Sequence, residues 1–306
     1  MNFFLDFFNI SAFSLNSLLI AFVLSFLTVF IWHEILSRSR RKSLEFFFWL
    51  VFAISMIFGF VWIVYAEKII TPNLLSFYFN TFAVGQTSNS FFIFALFFSL
   101  VITGGIIELG KNTIVRLFGK RFFETVDDVV DLSFGTALGF TAIENLFHFY
   151  NLFYLSDTYD TPMIIIKEVI SQVFFVLPIH LFCSGIFGYY YGLSLFALNS
   201  QRKFWKKLYG FVQFIKGTVI SVVIYGLFFY VMKQDYRMGD VASFFGFENF
   251  PLNESIFPFI SFIFSSLTAL YLFEKMGSAD FITETKTEKL KREEKESADQ
   301  HEKKGE

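Results

Sequence analysis

The sequence predicts an all-α protein, a polytopic membrane helix bundle with about seven transmembrane helices. Of the 306 residues, 55% are hydrophobic and only 17% are charged, and the mean hydropathy is +0.55. The apolar residues occur in blocks that reach or exceed the ~20 residues that an α-helix needs to cross the hydrocarbon core. Helix is the expected state of these blocks, because open strands cannot satisfy their backbone groups in lipid.

The order of the apolar blocks and the basic residues between them predicts the topology. Lysines and arginines cluster after the first, third, fifth and last blocks, whereas the opposite connections hold few of them. Because positive charge marks the cytoplasmic side, we expect the N-terminus outside and the C-terminus in the cytoplasm. The predicted spans are residues 14–36, 44–66, 91–115, 133–155, 168–196, 210–232 and 254–274.

Four regions follow from this pattern. Residues 1–90 hold the first two membrane helices and an outer loop, and residues 91–198 hold helices three to five, which carry the polar residues discussed below. Residues 199–276 hold the last two membrane helices. Residues 277–306 are dense in lysine, glutamate and serine. Such a segment cannot bury enough apolar surface to fold, and we expect a charged, disordered cytoplasmic tail.

Charge and cysteine content narrow the function classes. The net charge is −2 and no basic face is interleaved with aromatic residues, so nucleic acid is not an expected partner. The single cysteine, Cys183, excludes a disulfide framework or a cysteine-rich metal site within one chain. Residues 33–37 begin like the zinc motif HExxH but lack its second histidine. We therefore predict no metal and no other cofactor.

Three of the predicted spans carry an ionisable side chain within apolar sequence: Glu108, Glu144 and His180. A charge at the centre of a bilayer costs about 2.5–3.5 kcal/mol on insertion scales. Such residues therefore tend to face one another or a water-filled cavity. Two carboxylates and an imidazole together can move protons and activate water, so we expect the functional site here.

Structural explanations compete with function for several of these polar residues. Glu108 and Lys111 lie one helical turn apart on one face, which is also consistent with a structural ion pair or with Lys111 reaching towards the cytoplasm. The adjacent Asp127 and Asp128 are expected to begin the fourth helix, where acidic residues suit the helix dipole. Pro178, just before His180, can break the helical hydrogen-bond ladder and make room for water or substrate.

Taken in order, these residues resemble the PrsW family of glutamic intramembrane proteases, relatives of the type II CAAX prenyl endopeptidases. Residues 140–144, FTAIE, match the family's FxxxE motif, and His180 with the residues after it is similar to its His-initiated motif. The resemblance covers roughly residues 100–195. The supporting residues that it implies are Lys111, Asp131, Asn145 and Ser184.

This chain departs from the first motif of the family, EExxK. Ile107 stands where the family has its first glutamate, while Glu108 and Lys111 are in place. Adjacent positions of an α-helix lie about 100° apart around the axis. Glu108 therefore cannot occupy the position of the missing carboxylate.

The resemblance implies a metal-independent endopeptidase that cleaves membrane-anchored proteins, such as anti-sigma factors, in a bacterial cytoplasmic membrane. Glu108 or Glu144 would act as general base on a water molecule. His180 would stabilise the oxyanion or share the proton, and Lys111 would hold Glu108 ionised.

Two other functions stay open at this point. A catalytically silent member would use the same helices to bind or scaffold transmembrane segments, and Ile107 would mark the lost chemistry. A proton-coupled transporter would also use buried acids. We favour it less, because no internal repeat of the kind found in many transporters is visible.

Overall fold

The fold is known from a computed structural model that describes residues 15–37, 42–82, 89–119, 123–155, 166, 169–170, 172–196 and 203–234. This part of the chain is helical, without strands, as predicted. Its α-helices are α1 (Leu15–Ser37), α2 (Lys42–Tyr65), α3 (Thr71–Phe82), α4 (Asn89–Gly119), α5 (Val126–Leu155), α6 (Leu177–Phe196) and α7 (Lys203–Gln234).

Five stretches of these helices are long and apolar enough to cross a membrane. The predicted fourth span, 133–155, is helical within α5 but is not among them. Five of the seven predicted spans therefore correspond to candidate membrane spans in the described residues. The seventh predicted span, 254–274, and the tail lie outside those residues, and the predicted orientation stays a prediction. The five stretches are Leu15–Leu36, Leu44–Tyr78, Phe94–Leu117, Gln172–Phe196 and Lys207–Tyr230.

Helix α5 lies at the centre of the bundle, which explains why it is less apolar than its neighbours. It packs against α1, α2, α4 and α6, and most of its residues between 126 and 150 are buried. A helix that contacts protein on most sides needs fewer lipid-compatible side chains than one that faces the acyl chains. The polar residues of the fourth predicted span are thus compatible with its central place.

The N-terminus of α5 is fixed by a reciprocal cap. The Asp128 carboxylate accepts hydrogen bonds from the backbone N–H groups of Glu124 (2.7 Å) and Thr125 (2.9 Å). The Thr125 hydroxyl in turn accepts from the Asp128 N–H at 3.2 Å. This arrangement is a capping box, and it confirms that α5 begins at these acidic residues.

Glycines on α5 bring α2 into close contact. A Cβ atom at Gly139 would lie 2.6 Å from the Phe52 carbonyl oxygen and from Ser55 Cβ, and one at Gly135 would lie 3.1 Å from the Phe48 ring. The GxxxG spacing of the sequence therefore does bring two helix backbones together.

Helix α6 approaches the other side of α5 in the same way. A Cβ at Gly188 would lie 2.6 Å from Ser133 Oγ, and one at Gly192 would lie 2.8 Å from Val126 Cγ1. Directly before α6, residues Gln172–Val176 form a π-helical turn, and Pro178 lies in the first turn of α6 itself. The backbone thus leaves regular α geometry just before α6, whereas Pro178 and His180 themselves lie within regular α-helix.

We expect Gly139→Leu to lower the free energy of unfolding by about 1–3 kcal/mol, as overpacking does in dense cores. The added side chain would collide with the α2 backbone, which cannot move aside as a side chain can. Unfolding in mixed micelles with increasing SDS measures the change. Ala53→Leu is the matched control, since Ala53 is exposed on α2, and equal losses in the two variants would contradict the close contact.

Candidate active site

Glu108 and Lys111 of α4 form an ion pair in the interior of the bundle. The Glu108 carboxylate contacts the Lys111 ammonium directly, and both side chains are fully buried. Lys111 therefore does not extend towards the membrane surface, which was one of the alternatives that the sequence left open. The three-residue spacing within one helix is what places both groups on the same face.

The Lys111 ammonium contacts three partners. Besides Glu108, its Nζ lies 3.3 Å from Nδ1 of His180 on α6. It also lies 4.1 Å from the ring centroid of Tyr225 on α7, within the range of a cation–π contact. One buried cation thus joins three helices.

These contacts define which nitrogen of His180 carries the proton. An ammonium group can only donate hydrogen bonds, so Nδ1 of His180 must accept. The neutral ring then holds its proton on Nε2. His180 therefore presents an N–H group on the side facing away from Lys111.

Glu144 of α5 receives that side of the imidazole. Its Oε2 lies 3.2 Å from His180 Nε2 and accepts a hydrogen bond from the Tyr225 hydroxyl at 3.3 Å. The Glu144 side chain is 22% exposed, whereas that of His180 is 0% exposed. Among the ionisable groups of this cluster, Glu144 is the one with appreciable exposed surface.

The structure thus brings together all three of the predicted central residues. Glu108, Glu144 and His180 come from α4, α5 and α6, and Lys111 connects Glu108 to His180. We refer to these four residues and Tyr225 as the polar cluster.

The other supporting residues predicted from the sequence lie outside the direct contacts of the polar cluster. Asn145 turns towards α1 and donates to the Thr28 hydroxyl at 3.0 Å. Asp131 precedes Glu144 on α5 by roughly 20 Å along the helix axis, at 1.5 Å per residue. Ser184 follows His180 by one helical turn; its buried hydroxyl has no hydrogen-bond partner among the described residues.

Tyr225 is the member of the polar cluster that sequence reasoning missed. It lies on the sixth predicted span, outside the part of the chain in which we noted a resemblance. Its signal was a tyrosine within a long apolar helix, because a buried phenolic hydroxyl usually finds a hydrogen-bond partner. The sequence alone does not say on which face of the bundle that partner lies.

Comparison with protein families places this geometry in a wider context. A family model described as PrsW family intramembrane metalloprotease matches residues 45–252. The chain belongs to the PrsW family. The match extends the predicted resemblance on both sides and includes most of α2 and all of α7, and with it Tyr225. Comparisons with curated proteins and with solved structures gave no match.

The family description implies a metal, which the polar cluster would have to bind. No three His, Cys, Asp or Glu side chains in the described residues are grouped as metal ligands. Glu144 and His180 offer two donors, but Glu108 is engaged by Lys111, and the ammonium beside His180 would repel a metal cation. In this arrangement the residues of the polar cluster do not fit a metal centre.

Removing the buried cation should destabilise the bundle. We expect Lys111→Met to lower the free energy of unfolding by about 3–5 kcal/mol, because Glu108 would be left buried without a compensating charge. Combining it with Glu108→Leu should recover much of the loss, since an apolar replacement of a whole buried pair is often neutral.

Unfolding in SDS-containing mixed micelles measures both changes in stability. Lys216→Met is the matched control, because Lys216 is exposed on α7 and lies 4.8 Å from the Tyr190 ring centroid. A Lys111→Met variant as stable as this control would contradict the structural role of the buried ion pair.

Proposed function

We propose that this PrsW protein is an intramembrane endopeptidase in which Glu144 is the general base and His180 the hydrogen-bond donor that acts with it. The observation that carries the proposal is the Glu144–His180 contact of 3.2 Å, with Glu144 partly exposed and His180 buried behind it. General base catalysis needs a base that lies within hydrogen-bond reach of its partner and has exposed surface for the substrate.

The two glutamates have different roles in this proposal. Glu108 is fully buried and its carboxylate is paired with Lys111, so it supports the cluster instead of meeting a substrate. Glu144 contacts the His180 imidazole and has exposed surface. This favours Glu144 over Glu108 as the base, a choice that the sequence left open.

Hydrolysis would proceed by direct attack of water on the peptide carbonyl. Glu144 takes one proton from the water as its oxygen bonds to the carbonyl carbon, and the carbonyl oxygen becomes an oxyanion. The Nε2–H of His180, released as the protonated carboxyl becomes a weaker acceptor, turns to that oxyanion. Glu144 then gives its proton to the amide nitrogen and the C–N bond breaks, leaving a carboxyl and an amine terminus.

The substrate class follows from the position of the cluster among apolar helices. We propose that a membrane-anchored protein enters the bundle with its backbone unwound, since a helical peptide bond is screened by its own hydrogen bonds. Membrane-bound regulators such as anti-sigma factors are candidate substrates, and the bacterial cytoplasmic membrane is the proposed location. Both suggestions rest on the family resemblance.

A silent binding protein is the second candidate function, and Ile107 is the observation that favours it. This side chain is fully buried in the hydrophobic core, in place of the first motif glutamate. The cluster described here assembles without a carboxylate at that position, which is why we rank catalysis first.

Glu144→Gln should lower kcat by about 10²–10⁴-fold, the typical contribution of a general base. The amide keeps the size of the side chain but cannot take a proton from water. The assay is cleavage of single-span membrane proteins by purified protein in lipid. Glu34→Gln, on the exposed side of α1, is the control, and full activity of Glu144→Gln would refute the assignment.

His180 should be required for its N–H group. We expect His180→Ala to reduce kcat by about 10²–10³-fold, as loss of an oxyanion donor does. His180→Gln keeps an amide N–H donor and should retain more activity than the alanine variant. Equal activity of the two variants, measured per folded molecule in the same lipid assay, would show that the donor is not what catalysis uses.

A further inference from the structure

We infer that Tyr225 of α7 is a positioning residue of this site, whose hydroxyl holds the Glu144 carboxylate and the His180 imidazole in register. The inference rests on the proposed function and adds a residue from a fourth helix to it. Both the hydroxyl and the ring of Tyr225 contact other members of the polar cluster.

The Tyr225 hydroxyl lies between the two groups proposed to react. It is 3.3 Å from Glu144 Oε2 and 3.3 Å from His180 Nε2. The side chain is only 1% exposed, so water does not substitute for these partners. Both distances are long for hydrogen bonds of this type, as is common before a substrate tightens a catalytic site.

The Tyr225 hydroxyl can donate a hydrogen bond to only one of these two partners. It has one O–H to donate, and Glu144 as a carboxylate can only accept. Since the proton of His180 is on Nε2, that N–H faces both the Glu144 carboxylate (3.2 Å) and the Tyr225 oxygen (3.3 Å), while the hydroxyl donates its own proton to Glu144. Lys111 determines the tautomer of His180, and Tyr225 contacts both His180 and Glu144. The orientation of the Glu144 carboxylate therefore depends on that tautomer through Tyr225.

The ring of Tyr225 holds the other two members in place. Its face lies 4.1 Å from the Lys111 ammonium, and its centroid lies 4.9 Å from that of His180 at an interplanar angle of 66°. Such an edge-on pair fixes the tilt of the imidazole. The ring and the hydroxyl thus have separable tasks.

The position of Tyr225 is built into the crossing of α4 and α7. A Cβ at Gly226, the next residue, would collide with the Val101 carbonyl oxygen, and one at Gly104 would lie 3.0 Å from the Gly226 Cα. One turn earlier, Asn112 donates to the Ser221 hydroxyl at 3.2 Å. Close backbones and a polar contact together fix the rotation of α7 that points Tyr225 at the cluster.

Tyr225→Phe separates the two tasks, because it removes the hydroxyl and keeps the ring. We expect kcat to fall by about 10–100-fold with KM unchanged, since the reacting groups lose their common hydrogen-bond partner. The pH at which kcat declines on the acid side should also move, because the hydroxyl no longer donates to the carboxylate. The unfolding midpoint should stay close to that of the parent.

Tyr230→Phe is the matched control on the same helix; its ring packs on Phe97 at 4.7 Å, and we expect parental kcat. The inference is wrong, while the proposed function stands, if the parent cleaves and Tyr225→Phe keeps the parental kcat. It is also wrong if the activity of Tyr225→Phe falls only in proportion to the fraction of folded protein and the pH profile is unchanged. If the parent itself cleaves nothing in the same assay, the proposed function fails and the inference falls with it.

Discussion

The burial of the Lys111 ammonium is the constraint on which the rest of the site depends. A lone cation in the interior of a membrane bundle is strongly unfavourable, and Lys111 is fully buried. It is compatible with folding because Glu108, His180 and Tyr225 surround it. These partners belong to three different helices. Satisfying one charge therefore fixes the relative positions of α4, α6 and α7, and with them the face of His180 that meets Glu144.

The same constraint gives the two glutamates of the cluster different surroundings. Because Lys111 engages Glu108, the side of the cluster that is open to the outside belongs to Glu144. The close contacts of α5 with α2 and α6, made at Gly139 and Gly188, hold Glu144 next to His180. Packing that looks purely structural thus determines which carboxylate lies beside His180.

Much of the site could be predicted from the sequence, because Glu108, Glu144 and His180 interrupt apolar spans and such residues must find partners. Two features could not. The rotation of α7 about its axis depends on the crossing with α4, so nothing local marked Tyr225 as part of the site. Asn145 follows Glu144 directly and was expected beside it, but adjacent helical positions diverge by about 100°, and its amide reaches Thr28 on α1 instead.

We propose that water is activated here without a glutamate at position 107. The most direct measurement is to incubate the purified parent in lipid with single-span membrane proteins in H₂¹⁸O and to analyse the products by mass spectrometry. We predict a defined cleavage whose new carboxyl terminus carries the heavy oxygen. No cleavage by the parent, together with cleavage of the same proteins by Ile107→Glu, would contradict the account and indicate a silent member of the family.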